Sequence, residues 1–401
     1  MLSWDQTPSL APMRCCRAWV EINVAALRHN VAQLKGQLDT ADLMAVVKAD
    51  AYGHGAVVVA RTALEAGASW LGVATVPEGI ELRQAGIQAP ILVMGAVNTV
   101  EEVHAIARWH LQPTLVTPKQ ALVFSEALST CNPAPEKPMP VHLKLDTGMS
   151  RLGFSWMQAV EFVQFVRRLP QLQIASLYSH FATADSPDQS TLRLQQQRFD
   201  QAVAALKAQR LCPPRLHLAN SAATLTDPAL HHDMVRVGLA LYGLYPAPHL
   251  QSRVSLQPVM QVKACVTHIK DIAAGTGVSY GHQFIAPRPM QIAVVGIGYA
   301  DGVPRALSNR MEVLVKGRRV RQIGAITMDQ LMLDVTEVPN LQEGDVVTLL
   351  GQEKGQTVTA DDWAELTGTI SWEILCSFKH RLPRIALEQP LLTTSQSATR
   401  D

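Results

Sequence analysis

Polar residues stand at the ends of several short apolar runs of this sequence. Lys48 follows the run 45–47, and Lys144 and Asp146 close the run 141–145. The others of this kind are His180, Asn220, Ser221 and Arg236. A lysine amine in an apolar pocket is easily neutralised and can then form a Schiff base with an aldehyde. We therefore predict an active-site pocket in which Lys48 is the reactive group.

The turn after Lys48 adds a second indication of a binding site. Residues 49–55 contain Gly53 and Gly55, where the chain passes from a predicted strand to a predicted helix. Glycine lets the backbone come close to a ligand because it carries no side chain.

The elements that position these residues alternate between strand and helix. Helix-length amphipathic stretches, such as 56–66, 100–109, 156–169 and 192–209, separate most of the apolar runs. The eight runs are residues 43–47, 70–75, 91–94, 113–116, 141–145, 174–178, 216–218 and 234–237. Eight parallel strands predict an α/β fold with an N-terminal (β/α)₈ TIM-type barrel, whose active site lies at the C-terminal ends of the strands. A doubly wound open sheet is the structural alternative.

The pattern changes after about residue 250. Segments rich in β-branched residues, 259–272, 291–297, 311–315 and 346–350, are separated by glycine-containing turns. This indicates a C-terminal mostly-β domain, with short helices predicted at 361–367 and 371–378. The predicted division is a flexible N-terminal extension at 1–16, a barrel at 17–248, the β domain at 249–392 and a polar tail at 393–401.

Composition limits the classes of partner. The formal net charge is +1 and 17% of residues are charged, so we expect no nucleic-acid partner. No apolar run is long enough to cross a bilayer, and the N-terminus does not resemble a signal peptide. Cysteine and histidine spacing predicts no metal site. These features favour a cytoplasmic enzyme that acts on a small molecule.

Several stretches resemble the alanine racemase family. Residues 46–55 (VVKADAYGHG) are similar to its cofactor-lysine motif. The other similar stretches are 143–153 (LKLDTGMSRLG), 179–185 (SHFATAD), 219–221 (ANS), 234–238 (MVRVG), 278–281 (VSYG), 298–302 (GYADG) and 327–330 (TMDQ). The resemblance extends over about residues 17 to 385. It implies fold type III, pyridoxal 5′-phosphate (PLP) as cofactor, and a head-to-tail homodimer.

The resemblance also implies a role for each matching residue. Lys48 would bind PLP covalently and act as one catalytic base, and Tyr280 would reach the partner protomer's site as the other. Cofactor contacts are implied for Tyr52, His180, Asn220, Ser221, Arg236, Gly238, Leu239 and Trp372. Arg151 and the backbone of Met328 would bind the substrate carboxylate. Tyr299 and Asp329 would support the site, and Lys144 is a candidate for carbamylation.

The residue types suit racemisation. PLP would spread the charge left when the α-proton is removed from one face, and a second base would return a proton to the other face. By the resemblance, Lys48 serves D-alanine and Tyr280 serves L-alanine. A phenol ordinarily ionises near pH 10, so a phenolate base requires nearby cations. Arg236 would leave the pyridine nitrogen unprotonated, since a guanidinium donates hydrogen bonds and does not give up its proton. This favours racemisation over transamination.

Two positions depart from the common family pattern. Trp372 stands where a tyrosine usually contacts the phosphate, and Thr327 stands where some relatives carry cysteine.

Three functional alternatives remain open at this point. The first is alanine racemase, which supplies D-alanine for peptidoglycan and the cell wall. The second is another PLP enzyme of this fold, either a racemase of broader or different specificity, for example for serine, or a decarboxylase, which Arg236 disfavours. The third is a non-catalytic single-barrel PLP protein, which would lack the β domain. The sequence does not distinguish a biosynthetic role from a catabolic one.

Overall fold

The computed structural model describes residues 16–131 and 137–388, which form two compact units. One unit contains residues 26–257, and the other combines residues up to 25 with those from 258 onward. The predicted extension 1–16, apart from Cys16, and the predicted tail 393–401 lie outside the described residues. None of the described helices is both long and apolar enough to cross a membrane.

The first unit confirms the predicted barrel. Its strands follow β1 (Ala18–Asn23) of the other unit and are β2 (Asp42–Val46), β3 (Trp70–Val73), β4 (Ile91–Ala96), β5 (Gln112–Leu115), β6 (Met139–Asp146), β7 (Phe154–Ser155), β8 (Leu172–Tyr178), β9 (Leu216–His217) and β10 (Met234–Val237). Eight of them pair in parallel in the order β10-β2-β3-β4-β5-β6-β8-β9, with β7 beside β6. Backbone hydrogen bonds from Asp233 to Leu216 and from Arg236 to Ala219, both 3.0 Å, connect β9 to β10.

Helices connect the strands, as the amphipathic stretches predict. They are α1 (Val24–Lys35), α2 (Lys48–Gly53), α3 (Ala56–Glu65), α4 (Val76–Gln84), α5 (Val100–Arg108), α6 (Pro118–Ser129), α7 (Ala159–Arg167), α8 (Ser190–Ala208) and α9 (Ser221–Thr226). In α5, Val103 and Ile106 are buried while its first turn carries acidic residues. Threonine side chains cap the N-termini of α5 and α6 by accepting a backbone N–H, which satisfies donors that a helix start leaves open.

Side chains at alternate positions of each strand point into the barrel, because successive residues of a strand face opposite sides. One interior cluster is apolar and contains Met44, Trp70, Leu92 and Met234. Interior positions of β5, β6, β8 and β9 carry buried polar side chains instead: Thr114, His142, Ser176, Tyr178 and His217. The barrel interior therefore contains a polar layer as well as an apolar one.

The turn after β2 is left-handed. Four consecutive residues of α2, Ala49 to Tyr52, have φ of 52–55° and ψ of 39–51°. A left-handed helical conformation costs about 1–2 kcal/mol per L-residue, and no glycine is present within these four residues. Contacts outside the turn must offset that cost. The Ala51 N–H donates to the Val47 carbonyl, and the Asp50 side chain accepts from the Ala56 N–H at 2.7 Å.

Tyr242, which follows the last barrel strand in the sequence, packs against the same turn. Its ring stacks on His54 at 4.4 Å and lies 4.9 Å from the ring of Tyr52. Its hydroxyl donates to the Val46 carbonyl at 2.9 Å. Tyr242 is fully buried, so these contacts fix the turn against the end of β2.

The second unit is mostly β-structure, as predicted. Its further strands are β11 (Met260–Ile272), β12 (Gly277–Val278), β13 (Phe284–Ile285), β14 (Met290–Val295), β15 (Glu312–Val315), β16 (Arg318–Ile323), β17 (Leu331–Asp334), β18 (Val346–Glu353), β19 (Gln356–Val358) and β20 (Arg384–Leu387). Its helices are α10 (Ala360–Thr367) and α11 (Ser371–Ser377). The pairings β11-β14-β17-β16-β15-β18 close on β11 again and form a ring of six strands. The strands β12 and β13 form a separate hairpin.

The boundaries of the two units differ from the predicted ones. The strand β1, which the sequence placed with the barrel, pairs with β11 and β20 of the β unit. The barrel unit also continues beyond residue 248 to Gln257. Buried Asn30 explains this extension, because its side-chain amide exchanges two hydrogen bonds with the Gln257 backbone, at 2.7 and 2.8 Å.

The left-handed turn predicts opposite effects of two alanine-to-glycine changes. Ala49→Gly should raise the free energy of unfolding by about 0.5–1 kcal/mol. Glycine adopts the left-handed conformation without steric strain, and little packing is lost because Ala49 is exposed. Ala204→Gly, at an exposed position inside α8, should lower it by about 1 kcal/mol. Urea denaturation of both variants measures the difference. Equal destabilisation by the two changes would contradict the left-handed turn.

Candidate active site

Lys48 begins α2 directly after β2, at the C-terminal end of the barrel. Glu78 of α4 fixes the backbone next to Lys48 by hydrogen bonds. One carboxylate oxygen accepts from the Ala49 N–H at 2.8 Å, and the other accepts from the Ala74 N–H at 2.7 Å and the Thr75 N–H at 3.2 Å. A single carboxylate therefore connects the lysine turn to the end of β3. Glu78 was not predicted as a site residue, because its only signal in the sequence is the capping pattern of Thr75 and Glu78 at the start of α4.

Tyr52, Ser221 and Gly238 meet where β9 and β10, the last two barrel strands, end. The Ser221 hydroxyl accepts from the Gly238 N–H at 3.0 Å. A Cβ atom on Gly238 would lie 2.5 Å from the Tyr52 hydroxyl, so any larger residue there would displace the Tyr52 ring. Asn220 caps α9 by accepting from the Ala223 N–H. Hydroxyls and backbone N–H groups after the seventh and eighth strands are the usual phosphate site of such barrels. These residues fit the PLP phosphate.

Arg236 is 3% exposed and makes its hydrogen bonds inside the barrel. Its Nη1 donates to His217 Nδ1 at 2.9 Å. Its Nη2 lies within 2.8–3.1 Å of His180 Nδ1 and of the carbonyls of Ser179 and Leu218. A guanidinium has five N–H groups, so two of them have no partner among the described residues. Burial lowers the pKa of Arg236 to about 10, which leaves it protonated at neutral pH.

Four cations share this end of the barrel. Burial and then the charges of Arg236, Lys144, Arg151 and Lys48 lower the pKa of His180 well below its ordinary value. The ring is therefore neutral, and its Nδ1 accepts from Arg236. No ion-pair partner within 4 Å is recorded in the described chain for Lys144, Arg151 or Arg236. Such a potential favours anionic ligands, such as a phosphate or a carboxylate.

Lys144 is 6% exposed and lies over the ring of Tyr178, with Nζ 5.4 Å from its centre. Burial, followed by the charges of Arg236, Arg151 and Lys48, lowers its pKa to about 8. The neighbouring carboxylate of Asp146 opposes this shift without cancelling it.

The loop that carries Arg151 is held by its own strand. One oxygen of Asp146 accepts from the N–H groups of Gly148, Met149 and Ser150 at 2.9–3.1 Å. Arg151 itself is exposed, so its guanidinium is accessible to a ligand.

Gln195 of α8 is buried and connects two loops of the site, although it was not predicted as a site residue. Its amide oxygen accepts from the Ala182 N–H at 2.9 Å. Its amide nitrogen donates to the His180 carbonyl at 3.0 Å and to the Thr147 hydroxyl at 3.3 Å. Gln195 therefore fixes the loops after β6 and β8 relative to each other, but its position in the middle of a helix gave no signal of this contact.

In the β unit, Tyr280 stands at the tip of the β12–β13 hairpin and is 73% exposed. Its base is rigid, because the Ser279 hydroxyl donates to the Ala325 carbonyl at 2.7 Å and Val278 is buried in an apolar cluster. An exposed aromatic ring on an anchored hairpin is not a packing residue of its own unit. This geometry leaves the phenol available to another surface.

The loops that carry Tyr299 and Met328 are joined by their backbones. The Tyr299 N–H donates to Thr327 and the Ala300 N–H to Met328, both at 3.0 Å. Tyr299 is 43% exposed and Met328 is 53% exposed. Fully buried Asp301 contacts Arg17 at 2.7 Å, and Arg381 bridges Asp301 to Asp329. Asp329 is therefore a structural support of the Met328 loop.

The two departures from the family pattern also lie in the β unit. Trp372 is half-buried in the first turn of α11. The Thr327 hydroxyl donates to the Gln330 carbonyl at 2.8 Å and accepts from the Gln330 N–H at 3.1 Å. Threonine thus contributes a local turn that a cysteine would form less well.

The candidate residues fall into two groups. The barrel brings together Lys48, Tyr52, Lys144, Arg151, His180, Asn220, Ser221, Arg236, Gly238 and Leu239. The β unit carries Tyr280, Tyr299, Met328, Asp329 and Trp372. The described residues contain no group of histidine, cysteine and acidic side chains that could hold a metal ion.

In comparisons with known proteins, both units match domains of the same protein family. Residues 22–246 match the model of the alanine racemase N-terminal domain, and residues 259–386 match that of the C-terminal domain. The alanine racemase of a Nostoc species is 67% identical over 372 residues, which cover 92% of this chain and 96% of the relative.

Solved structures are similar over the same range. The alanine racemase of D-cycloserine-producing Streptomyces lavendulae has a TM-score of 0.87 at 37% identity, covering 96% of this chain and 99% of that one. The alanine racemase of Bartonella henselae, solved with covalently bound pyridoxal phosphate, has a TM-score of 0.81 at 30% identity, covering 93% and 100%.

The lowered pKa of Lys144 predicts a specific pH dependence of stability. Between pH 8 and 10.5 the unfolded chain holds this proton and the folded chain does not, so raising the pH favours folding. The free energy of unfolding should therefore rise across this window relative to Lys144→Met, by up to about 3 kcal/mol. Chemical denaturation in CO₂-free buffer measures it, with exposed Lys119→Met as the control. A constant difference between wild type and Lys144→Met would contradict the shift.

Proposed function

Since this chain belongs to the alanine racemase family, we propose that it interconverts L-alanine and D-alanine with Lys48 and Tyr280 as two opposed bases. Both family domains match along nearly the whole chain, which supports the racemase activity. The observation that carries the proposal is Arg236, a buried cation with neutral partners and two N–H groups left for a ligand. The product D-alanine would supply peptidoglycan synthesis.

Pyridoxal 5′-phosphate is the proposed cofactor. When bound, it supplies an electron-accepting ring that stabilises the charge left by removal of the α-proton. Lys48 would hold it covalently, and Arg236, with His180 beside it, would donate to its ring nitrogen. Its phosphate would be held by Tyr52, Ser221 and the backbone N–H groups of Gly238 and Leu239. Asn220, which fixes the start of α9, and Trp372 would complete this contact.

The two bases divide the proton transfers between them. The Lys48 amine takes the α-proton of D-alanine, and the Tyr280 phenolate takes that of L-alanine; the opposite base returns a proton to the other face. Arg151 and the backbone N–H of Met328 hold the substrate carboxylate and keep the α-carbon between the bases.

A homodimer would complete the site. We propose that Tyr280 and Met328 of one protomer enter the site of its partner. The exposure of Tyr280, Tyr299 and Met328 on anchored loops supports this, because exposed aromatic and apolar side chains held rigidly suit an interface.

The two-base assignment predicts a separable pair of defects. Lys48→Ala should lose covalent cofactor attachment and at least about 10³-fold of D-alanine formation from L-alanine, as expected for loss of a positioned base. Tyr280→Phe should lose a similar factor and yet still exchange the α-hydrogen of D-alanine in D₂O, because Lys48 remains. Chiral chromatography and proton NMR measure these outcomes. Exposed Lys119→Ala and structural Tyr245→Phe are the matched controls, expected near wild type.

Two results would count against the assignment. Exchange into L-alanine by Tyr280→Phe would show that Tyr280 is not the base for that enantiomer. Covalent cofactor binding without D-alanine formation by the wild type would indicate another substrate. The assay would then be repeated with serine, the main alternative, given that half-buried Trp372 replaces the usual tyrosine.

We further propose that Lys144 takes up CO₂. With a pKa of about 8, the Lys144 amine is neutral in about a quarter of the molecules at pH 7.5. The Nζ lone pair would bond to the CO₂ carbon, one C=O electron pair would move to oxygen, and a proton would leave to solvent. The resulting carbamate carries a negative charge where Arg151 and Arg236 already raise the potential. It would orient Arg151 toward the substrate.

The carbamate predicts a spectroscopic signal. Wild-type enzyme in ¹³C-bicarbonate should show a carbamate resonance that Lys144→Met lacks, and Lys119→Met should keep it. Removal of CO₂ should raise the KM for alanine about tenfold in the wild type, since a charge-assisted contact to Arg151 is lost. A wild-type spectrum identical to that of Lys144→Met would disprove the modification.

A further inference from the structure

A line of five polar side chains crosses the interior of the barrel, from β5 to β10. Gln112 Oε1 lies 2.8 Å from His142 Nε2, and His142 Nδ1 lies 2.6 Å from Ser176 Oγ. Ser176 Oγ lies 2.9 Å from His217 Nε2, and His217 Nδ1 lies 2.9 Å from Arg236. His142, Ser176 and His217 are fully buried, whereas Gln112 is half-buried. The line therefore connects the candidate site to the opposite end of the barrel.

Hydrogen-bond chemistry gives this line one direction. Arg236 can only donate, so His217 Nδ1 is an acceptor and its proton is on Nε2. That proton goes to Ser176, whose hydroxyl then donates to His142 Nδ1. His142 carries its proton on Nε2 and donates to the Gln112 carbonyl oxygen, which can only accept. Reversing the His217 bonds would place two N–H groups face to face at Arg236, and reversing the His142 bonds would place two acceptors face to face at Gln112, so each histidine has one favoured tautomer.

We infer that Ser176 and His142 are positioning residues that keep His217 a neutral acceptor and thereby fix the orientation of Arg236. This inference deepens the proposed function and rests on it for the identity of the ring that Arg236 would contact. The stack of His217 on Tyr178, at 4.6 Å and 6°, holds the ring plane, so the hydroxyl of Ser176 decides only the tautomer. Burial and Arg236 also lower the pKa of His217 well below its ordinary value.

Removal of the Ser176 hydroxyl would leave two buried groups without partners. The His217 N–H would lose its acceptor, and His142 Nδ1 would lose its donor. The original tautomer of His217 then buries an unpaired Nε2–H, so the other tautomer, whose Nδ1–H opposes the Arg236 N–H, becomes competitive. Arg236 would be displaced, and its control over the cofactor ring nitrogen would weaken. The ratio of transamination, which releases pyruvate, to racemisation would then rise.

The test compares Ser176→Ala with Ser176→Thr, which keeps the hydroxyl, and with Ser125→Ala, a buried serine bonded to Gln171 elsewhere in the barrel. Long-range ¹H–¹⁵N spectra of histidine-labelled enzyme without cofactor report the tautomers. We expect His217 to be fully Nε2-protonated in the wild type, in Ser176→Thr and in Ser125→Ala, and mixed in Ser176→Ala. With cofactor and alanine, the ratio of pyruvate to D-alanine should rise about tenfold in Ser176→Ala only.

The spectra keep this inference separate from the proposed function. An unchanged His217 tautomer and an unchanged pyruvate ratio in Ser176→Ala would overturn the positioning role. If the wild type made neither product, the proposed function would fail, while the spectra would still decide the role of Ser176 in ordering His217. If Ser176→Ala does not fold, His142→Asn interrupts the same line at the next side chain. The His217 tautomer and the pyruvate ratio of His142→Asn are then compared with those of the wild type. Gln112→Ala should have little effect, because water can accept at its half-buried end.

Discussion

The buried guanidinium of Arg236 imposes the main constraint on the barrel interior. A buried cation is costly unless hydrogen bonds replace its hydration, so the ends of β8 and β9 supply carbonyls and two imidazole nitrogens. Those imidazoles can accept only while they are neutral, and burial together with the same positive charge keeps them neutral. Burial, followed by the charge of Arg215, also lowers the pKa of His142 to about 3. Burial thus favours the neutral form of all three imidazoles, and the charge of Arg236 adds to this effect at His180 and His217.

Backbone strain in the turn after Lys48 is the second constraint, and this turn also lies at the C-terminal end of the barrel strands. Four left-handed residues without glycine persist only because rigid groups surround them: the Glu78 carboxylate on one side and the rings of Tyr242 and His54 on the other. The reactive Lys48 is the first residue of this turn. The strain therefore has a functional reading, since the strained segment begins directly after Lys48 and ends at Tyr52, whose hydroxyl lies against Gly238 in the phosphate-binding group.

Much of the fold was readable from the sequence because hydrophobic periodicity reports burial directly. All eight barrel strands and the β character of the second unit were predicted, whereas β1 was misassigned because its pairing with β11 and β20 connects residues far apart in the chain. The left-handed turn was not predictable, since Ala49 and Ala51 have no preference for positive φ. His142, Ser176 and His217 were not predicted as site residues because they lie inside their strands and not after them. The alternation of side chains along a strand was the available signal for His142, which lies two residues before Lys144 and therefore on the same side of β6.

The cation cluster also explains why this site should respond to several anions at once. Lys48, Lys144, Arg151 and Arg236 repel one another, and three of them have no carboxylate within ion-pair distance in the described residues. A phosphate, a substrate carboxylate and a carbamate would each relieve part of this repulsion. Any anion that binds the folded state alone stabilises it. Each anion should therefore stabilise the folded site. The carbamate would in addition favour substrate binding by orienting Arg151, so cofactor, CO₂ and substrate would be thermodynamically coupled through the charges of this cluster.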